Sequence, residues 1–242
     1  MRKIHVVLRK EDIDEEKISH CIAVVFDVLF ATSSIATALH HGAREVIPAF
    51  NSEEALEKAG QLEEGTFILA GEKDGFPIDG FHQPSPIAMM DDCIKGKTVI
   101  YSTTNGTVAV RRSERAKALY ASSLLNGEAV AERILEHKGE ESVVLVCSGS
   151  KGSFCLEDFY GAGYQIDQLL RKQEEGWILT DAAKAAYGFY VNYPGSDEEC
   201  LQGTRVGKFI SMLGMDEATF FAAQKGVLPV VPRLENGRLI AG

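Results

Sequence analysis

Four clusters of polar side chains, each just after a short β-branched run, carry the residue types from which a site is built. Phe26-Asp27-Val28-Leu29-Phe30-Ala31-Thr32-Ser33-Ser34 sets a carboxylate at a strand end and hydroxyls at a helix start. Asp27 suits a hard cation, and the helix start at Thr32 and Ser33 suits an oxyanion. The same side chains would equally serve as a plain helix cap. Gly71-Glu72-Lys73 places an acid beside a base: a metal ligand next to a phosphate cation, or an exposed ion pair. In Ser102-Thr103-Thr104-Asn105-Gly106-Thr107, hydroxyls, an amide and a glycine turn lead into a helix. Backbone amides there would point at an anion, with an ordinary cap as the alternative. Finally, Cys147-Ser148-Gly149-Ser150-Lys151-Gly152-Ser153 is followed by Leu156-Glu157-Asp158. The small residues Ser148 and Gly149 admit a ligand close to the backbone, and Lys151 adds positive charge. Glu157 and Asp158 either ligate a metal or cap the helix they open.

Other motifs fail on their mechanics. Gly96-Lys97-Thr98 has Asp91 where a P-loop needs its first glycine, and it enters a strand rather than a helix. An aspartyl-phosphate mechanism at Asp27 would want a second Asp two residues on, and Leu29 stands there. Gly161-Ala162-Gly163 lacks the third glycine of a dinucleotide site, and Ser148 lacks the Gly-x-Ser-x-Gly frame of a nucleophile elbow. His40 and His41 end a predicted helix at the surface, His82 lies in a long loop, and Trp177, Phe220 and Phe221 read as core.

The elements that must position these clusters alternate. Strands are expected at 3–8, 21–26, 45–49, 66–70, 97–101, 116–120 and 142–147, several of them continuous apolar runs suited to burial on both faces. Helices are expected at 33–41, 52–62, 106–114, 123–137, 157–172, 178–190, 203–213 and 216–224, with Ser52 and Asp216 as N-caps. The end reads as a hairpin, 228–232 and 238–241, around Asn236-Gly237. The pattern predicts a layered α/β/α fold with a mostly parallel or mixed sheet and two similar α/β halves, 1–125 and 126–242. In such sheets ligands collect at the carboxyl ends of strands, where all four clusters fall. The stretch from Gly71 to Pro86, with three glycines and three prolines, is long enough to be functional.

Composition bounds the partners. The chain has 242 residues with a formal net charge of −10, against the cationic surplus that nucleic-acid binding demands. Five cysteines, an odd number with no CxxC spacing, argue against a zinc or disulfide framework and for a reducing cytoplasm. The N-terminal apolar run Ile4–Leu8 is too short for a signal peptide, and the most membrane-like stretch, 21–43, carries Asp27 and two histidines. No membrane partner is expected.

In their order, VVFDVLFATSSIATALHHGA (24–43), AGEKDGFPIDGF (70–81), STTNGTVAV (102–110) and CSGSKGSFCLEDFYGAG (147–163) resemble the 2-phosphosulfolactate phosphatase family. GTRVGKFISMLG (203–214) and VLPVVP (227–232) resemble the family's ending. The resemblance implies a two-part α/β hydrolase that uses Mg²⁺ to release phosphate from 2-phosphosulfolactate, leaving the 3-sulfolactate of coenzyme M synthesis and of some spores. It also implies a homo-oligomer, most simply a dimer. Two positions depart from it: Phe30 replaces the arginine of a DVLRATTT-type motif, and His82-Gln83-Pro84-Ser85-Pro86 lacks an asparagine. On this reading Asp27 and Glu72 hold the metal, with Asp158 or Glu157 in reserve. Lys73 and the turn Thr103–Asn105 hold phosphoryl oxygens, Ser148 and Lys151 face the substrate's acid group, and a metal-activated water attacks. A phosphatase for another small phosphorylated hydroxy acid, and a non-catalytic organic-anion binder, are the competing readings.

Overall fold

The computed structural model describes residues 1–242. In chain order, β1 (Arg2–Val7) and a one-turn α1 (Glu15–Ile18) lead to β2 (Ile22–Phe26), α2 (Ala31–His40), β3 (Glu45–Ala49) and α3 (Ser52–Ala59). A hairpin of β4 (Phe67–Lys73) and β5 (Phe76–Pro77) and a long loop precede β6 (Thr98–Ser102) and α4 (Gly106–Arg112). Then come β7 (Ala118–Ser122), α5 (Gly127–Glu136), β8 (Val143–Cys147), α6 (Leu156–Lys172), β9 (Trp177–Leu179) and α7 (Asp181–Val191). The chain ends in α8 (Asp197–Gly203), α9 (Arg205–Met212), α10 (Asp216–Ala222) and a hairpin of β10 (Pro232–Glu235) and β11 (Arg238–Ala241).

All eleven strands form one mixed sheet in the order β5-β4-β6-β3-β11-β10-β7-β2-β8-β1-β9. Strands β4, β6 and β3 are parallel, as are β7, β2, β8, β1 and β9. The terminal hairpin joins the two parallel parts by antiparallel pairing to β3 and β7. Strands from both sides of residue 125 interleave, since β1 lies between β8 and β9.

Period-two alternation sorts the strand side chains into layers. Ile22, Val24 and Phe26 face one core with Val130, Ile134, Ile166 and Leu169 of α5 and α6. Ala23 and Val25 face the other, which holds Ile35 and Leu39 of α2 together with Val46, Val99 and Tyr101 of β3 and β6. That second core takes side chains from both parallel parts, so the sheet curls around α2 and brings two sets of strand ends together. A smaller cluster of Ala49, Ala55, Ala59 and Ile100 seats α3 on the outside. The expected layered α/β/α fold is observed.

Local differences have physical reasons. Asn51, not Ser52, caps α3, its Oδ1 accepting the Glu54 N–H at 2.9 Å. Met215 precedes α10 and Asp216 is its first residue. The stretch 193–200 contains the start of α8, set by a Ser196/Glu199 capping box. The helix expected from 178 begins at 181, because Trp177–Leu179 pairs with β1. The hairpin turns at Asn236 (φ 49°) and Gly237 (φ 77°) as expected, but its first strand starts at Pro232. Trp177 is half-buried beneath the Arg2 guanidinium, 4.8 Å from the ring centroid. Phe221 packs on the core, whereas Phe220 is 53% exposed. His40 and His41 are exposed at the end of α2, as expected.

Candidate functional site

The carboxyl ends of β2, β4 and β6 open onto one cavity of about 700 Å³. Asp27 follows β2 and lines it. The loop around it is held from within: Thr32 Oγ1 accepts the Asp27 N–H and donates to the Asp27 carbonyl, both at 3.0 Å, and Ser33 Oγ donates to the Val28 carbonyl at 2.8 Å. Thr32 and Ser33 are fully buried and their hydroxyls bind this backbone, so they shape the Asp27 turn from behind instead of facing the cavity. Gly106 allows the carboxylate its position. A Cβ there would fall 2.6 Å from Asp27 Oδ2 and closer still to Ala31 Cβ.

Glu72, near the end of β4, is anchored by three donors. Its Oε1 accepts the Thr104 N–H at 2.6 Å, and its Oε2 accepts the Gly75 N–H at 2.6 Å and the Thr104 hydroxyl at 3.0 Å. The next residue points the other way. Lys73 is exposed and outside the cavity, as strand alternation requires of a neighbour of Glu72. Thr103, Thr104 and Asn105 line the cavity between β6 and α4. Thr103 and Thr107 bond each other's backbone amides at 2.9 and 3.1 Å, and Asn105 Oδ1 accepts from the buried Lys10 Nζ at 2.8 Å.

The fourth loop is tied on by Asp158. Its two oxygens accept the Val28 and Gly149 amides, each at 3.0 Å, clamping the β2 loop to the β8 loop. Gly149 has φ +65°, and a Cβ there would meet the Ser153 carbonyl at 2.8 Å. Ser148 is buried, its Oγ without a partner, and Lys151 reaches the cavity mouth, 3.3 Å from Asp74. Glu157 is 3% exposed and does not line the cavity. Asp27, Glu72, Thr103, Thr104, Asn105 and Lys151 are therefore brought together. Asp158, Glu157, Ser148 and Gly149 stand behind them, and Lys73 faces away.

Burial, then the nearby Glu72 and Glu157 charges, push the Asp27 carboxyl up to about 7. Burial, then the Asp27 and Glu157 charges, raise Asp158 well above the carboxylate range, and burial raises Glu157. A crowded set of oxygen donors, reluctant to ionise together, is the donor set that a hard divalent cation stabilises. Asp27 and Glu72 fit such an ion. Asp158 fits less well, since both of its oxygens already hold amides.

Sequence reasoning left α9 out of the site. Arg205 and Lys208 line the cavity, as do Val206, Phe209, Ile210 and Met212. Arg205 has a single weak partner, Cys155 Sγ at 3.8 Å, which leaves its guanidinium fork open. The β4–β5 hairpin closes against α9, with Phe76 and Phe209 edge to face at 5.8 Å. The local signal goes only as far as a helix with cations and apolar residues at helical spacing in 205–212, after the Thr204 cap; it does not say what that helix faces. Phe30 also faces the cavity.

Residues 7–237 match the family described as 2-phosphosulpholactate phosphatase. The chain is similar to a probable 2-phosphosulfolactate phosphatase of Clostridium acetobutylicum, 38% identical over 240 residues, covering 98% of this chain and all of the relative. Proteins of the same description from Clostridium perfringens strain SM101 and Clostridium beijerinckii are 39% and 34% identical, each covering 98% of this chain and 95% and 98% of the relative.

Proposed function

The chain belongs to the 2-phosphosulpholactate phosphatase family, a family of phosphoric monoester hydrolases, and from that membership we propose that it hydrolyses 2-phosphosulfolactate to 3-sulfolactate and phosphate with Mg²⁺. The observation that carries the reading is the meeting of Asp27 and Glu72 with Arg205, Lys208 and Lys151 in one cavity. Phosphoryl transfer is chiefly a matter of positioning and charge, and this cavity holds both signs.

Asp27 and Glu72 would hold the cation, which supplies charge neutralisation and an acidified water when bound. Glu72 needs no reorganisation, because three donors already fix it. The Asn105 amide faces the phosphoryl group from the β6 loop, while both Thr104 donors stay on Glu72. Arg205 takes the substrate's carboxylate or sulfonate with two parallel N–H bonds, and Lys208 adds charge beside it. Leu29, Phe30 and Phe209 exclude water from the reacting end, which strengthens these contacts. A dimer, consistent with the exposed Met212, Leu213 and Phe220, would give twice the chain mass in sedimentation.

One observation favours a second reading. Phe30, Phe76, Phe209, Ile210 and Leu213 give the cavity a broad apolar wall that a three-carbon, multiply anionic acid does not need. A phosphorylated hydroxy acid with an apolar substituent would bury against that wall. The test is phosphate release from 2-phosphosulfolactate, with Mg²⁺ and with EDTA, beside phospholactate, phosphoglycerate and phospho-3-phenyllactate. Mg²⁺-dependent release from the sulfonate above the rest upholds the first reading, and preference for the phenyl compound upholds the second. Ligand binding with no release from any of them, in metal-loaded protein, overturns both in favour of an organic-anion binder.

A further inference from the structure

A second group of metal-ligating side chains lies outside the carboxylate cavity. His82, Asp91 and Cys93 each offer one ligand atom, and these atoms all lie within 4.8 Å of one another. They belong to the loop between β5 and β6. His82 and Cys93 are half-buried and Asp91 is exposed.

Each donor is already oriented. The backbone of His82 is bound to β4, its N–H donating to the Leu69 carbonyl at 2.7 Å and its own carbonyl accepting the Gly71 N–H at 3.2 Å. Its Nε2 sits 2.9 Å from the Ala88 carbonyl. A carbonyl only accepts, so Nε2 carries the hydrogen and Nδ1 presents a bare lone pair. A backbone carbonyl on the far ring nitrogen is the usual support of a metal-bound histidine. Asp91 Oδ1 accepts the Cys93 N–H at 2.8 Å, which sets carboxylate and cysteine side by side.

We propose that His82, Asp91 and Cys93 form a second metal site, for a borderline-soft divalent ion such as Zn²⁺, that clamps one wall of the cavity. One nitrogen, one sulfur and one oxygen donor are an open three-ligand set for Zn²⁺, with water completing the tetrahedron. A thiolate donor disfavours Mg²⁺, which separates this site from the all-oxygen pair Asp27 and Glu72. On binding, the Cys93 S–H bond breaks, a metal–sulfur bond forms and the proton passes to solvent. No oxidation state changes. Affinity therefore rises with pH. Asp92 and Lys97 are the other charges close to the thiol.

The clamp reaches the cavity through the next two residues. Gln83 and Pro84 line it, and the Pro84 carbonyl accepts hydroxyl hydrogens from Ser34 and Tyr101, each at 2.6 Å. Joining His82 to Cys93 fixes both ends of that segment. An ion bound only by the folded chain stabilises it by mass action.

The experiment titrates reduced, metal-free, full-length protein with Co²⁺ and reads thiolate-to-cobalt charge-transfer absorption. One equivalent should give the band, Zn²⁺ should displace it, excess Mg²⁺ should not, and Zn²⁺ should raise Tm. Cys93→Ser should abolish the band. His82→Ala should weaken Zn²⁺ binding by about 100-fold, and Asp91→Asn, which keeps the cap, by about 10-fold. All three variants should retain whatever phosphate release the wild type has. A wild type with no band, a band that Mg²⁺ displaces, or a band that survives Cys93→Ser (placing the thiolate at Cys155 or another cysteine) overturns the proposal. None of these readings depends on the catalytic assignment.

Discussion

At the residue scale, the site rests on two aspartates with different tasks. Asp27 faces the cavity and Asp158 holds the loops together. Asp158→Ala leaves the Val28 and Gly149 amides buried without an acceptor, and should cost about 3 kcal/mol, or about 8 °C in Tm. Chemical and thermal denaturation check it. Asp27→Asn should lower kcat/KM for phosphate release by at least about 100-fold while the fold stays intact, measured at saturating Mg²⁺. Arg205→Ala should lower kcat/KM roughly 10- to 100-fold, chiefly through KM, with Arg205→Lys recovering part, since an ammonium cannot make the bidentate contact. Phe30→Arg should raise the preference for a sulfonated over an apolar substrate by about 10-fold, read as a ratio of kcat/KM values. Asp27, Glu72 and Asn105 were legible in the sequence because each stands just after a recognisable strand. The split between Asp27 and Asp158 was not, because only the folded chain reveals which carboxylate the amides occupy.

At the scale of elements, periodicity explains both the successes and the misses. Alternation along β4 turns Glu72 inward and Lys73 outward, so an adjacent acid and base cannot share one cavity. The β6–α4 junction depends on Gly106. Gly106→Ala forces a methyl into Asp27 and Ala31, and should lose both stability, by about 2 kcal/mol, and most activity, seen in paired Tm and rate measurements. By contrast, Gly237→Ala at the exposed terminal turn should leave the rate unchanged and only lower Tm, through its φ of +77°. The central strands were legible because their apolar runs are continuous. The short β5 and β9 were not: two or three residues make no pattern, and only pairing with β4 and β1 defines them. Helix α9 was legible as a helix, yet nothing local says that its cationic face turns toward Asp27 and Glu72.

At the scale of the whole molecule, the crowding of Asp27, Glu72, Glu157 and Asp158 links stability to pH. Asp27 titrates near 7 in the folded chain against 3.8 ordinarily, so between those values the folded state binds more protons than the unfolded one. Stability must then fall as pH rises across that window, with the whole penalty present above about pH 7. Glu157 and Asp158 are raised too and act with the same sign. Metal-free protein should lose several degrees of Tm from pH 5.5 to 8, Asp27→Asn should flatten part of that slope, and Mg²⁺ should restore Tm most at pH 8. A Tm of the metal-free chain that climbs through the window would refute the linkage. The sequence by itself determined the α/β alternation, the strand-end placement of Asp27, Glu72 and Thr103–Asn105, and the family resemblance, because each is written in local spacing and residue type. Only the tertiary structure decided that the terminal hairpin joins two parallel sets of strands, that the sheet curls around α2, and that α9 closes the cavity with Arg205 and Phe209. Those are long-range pairings, settled by which apolar faces can be buried together, and no short stretch of sequence carries them.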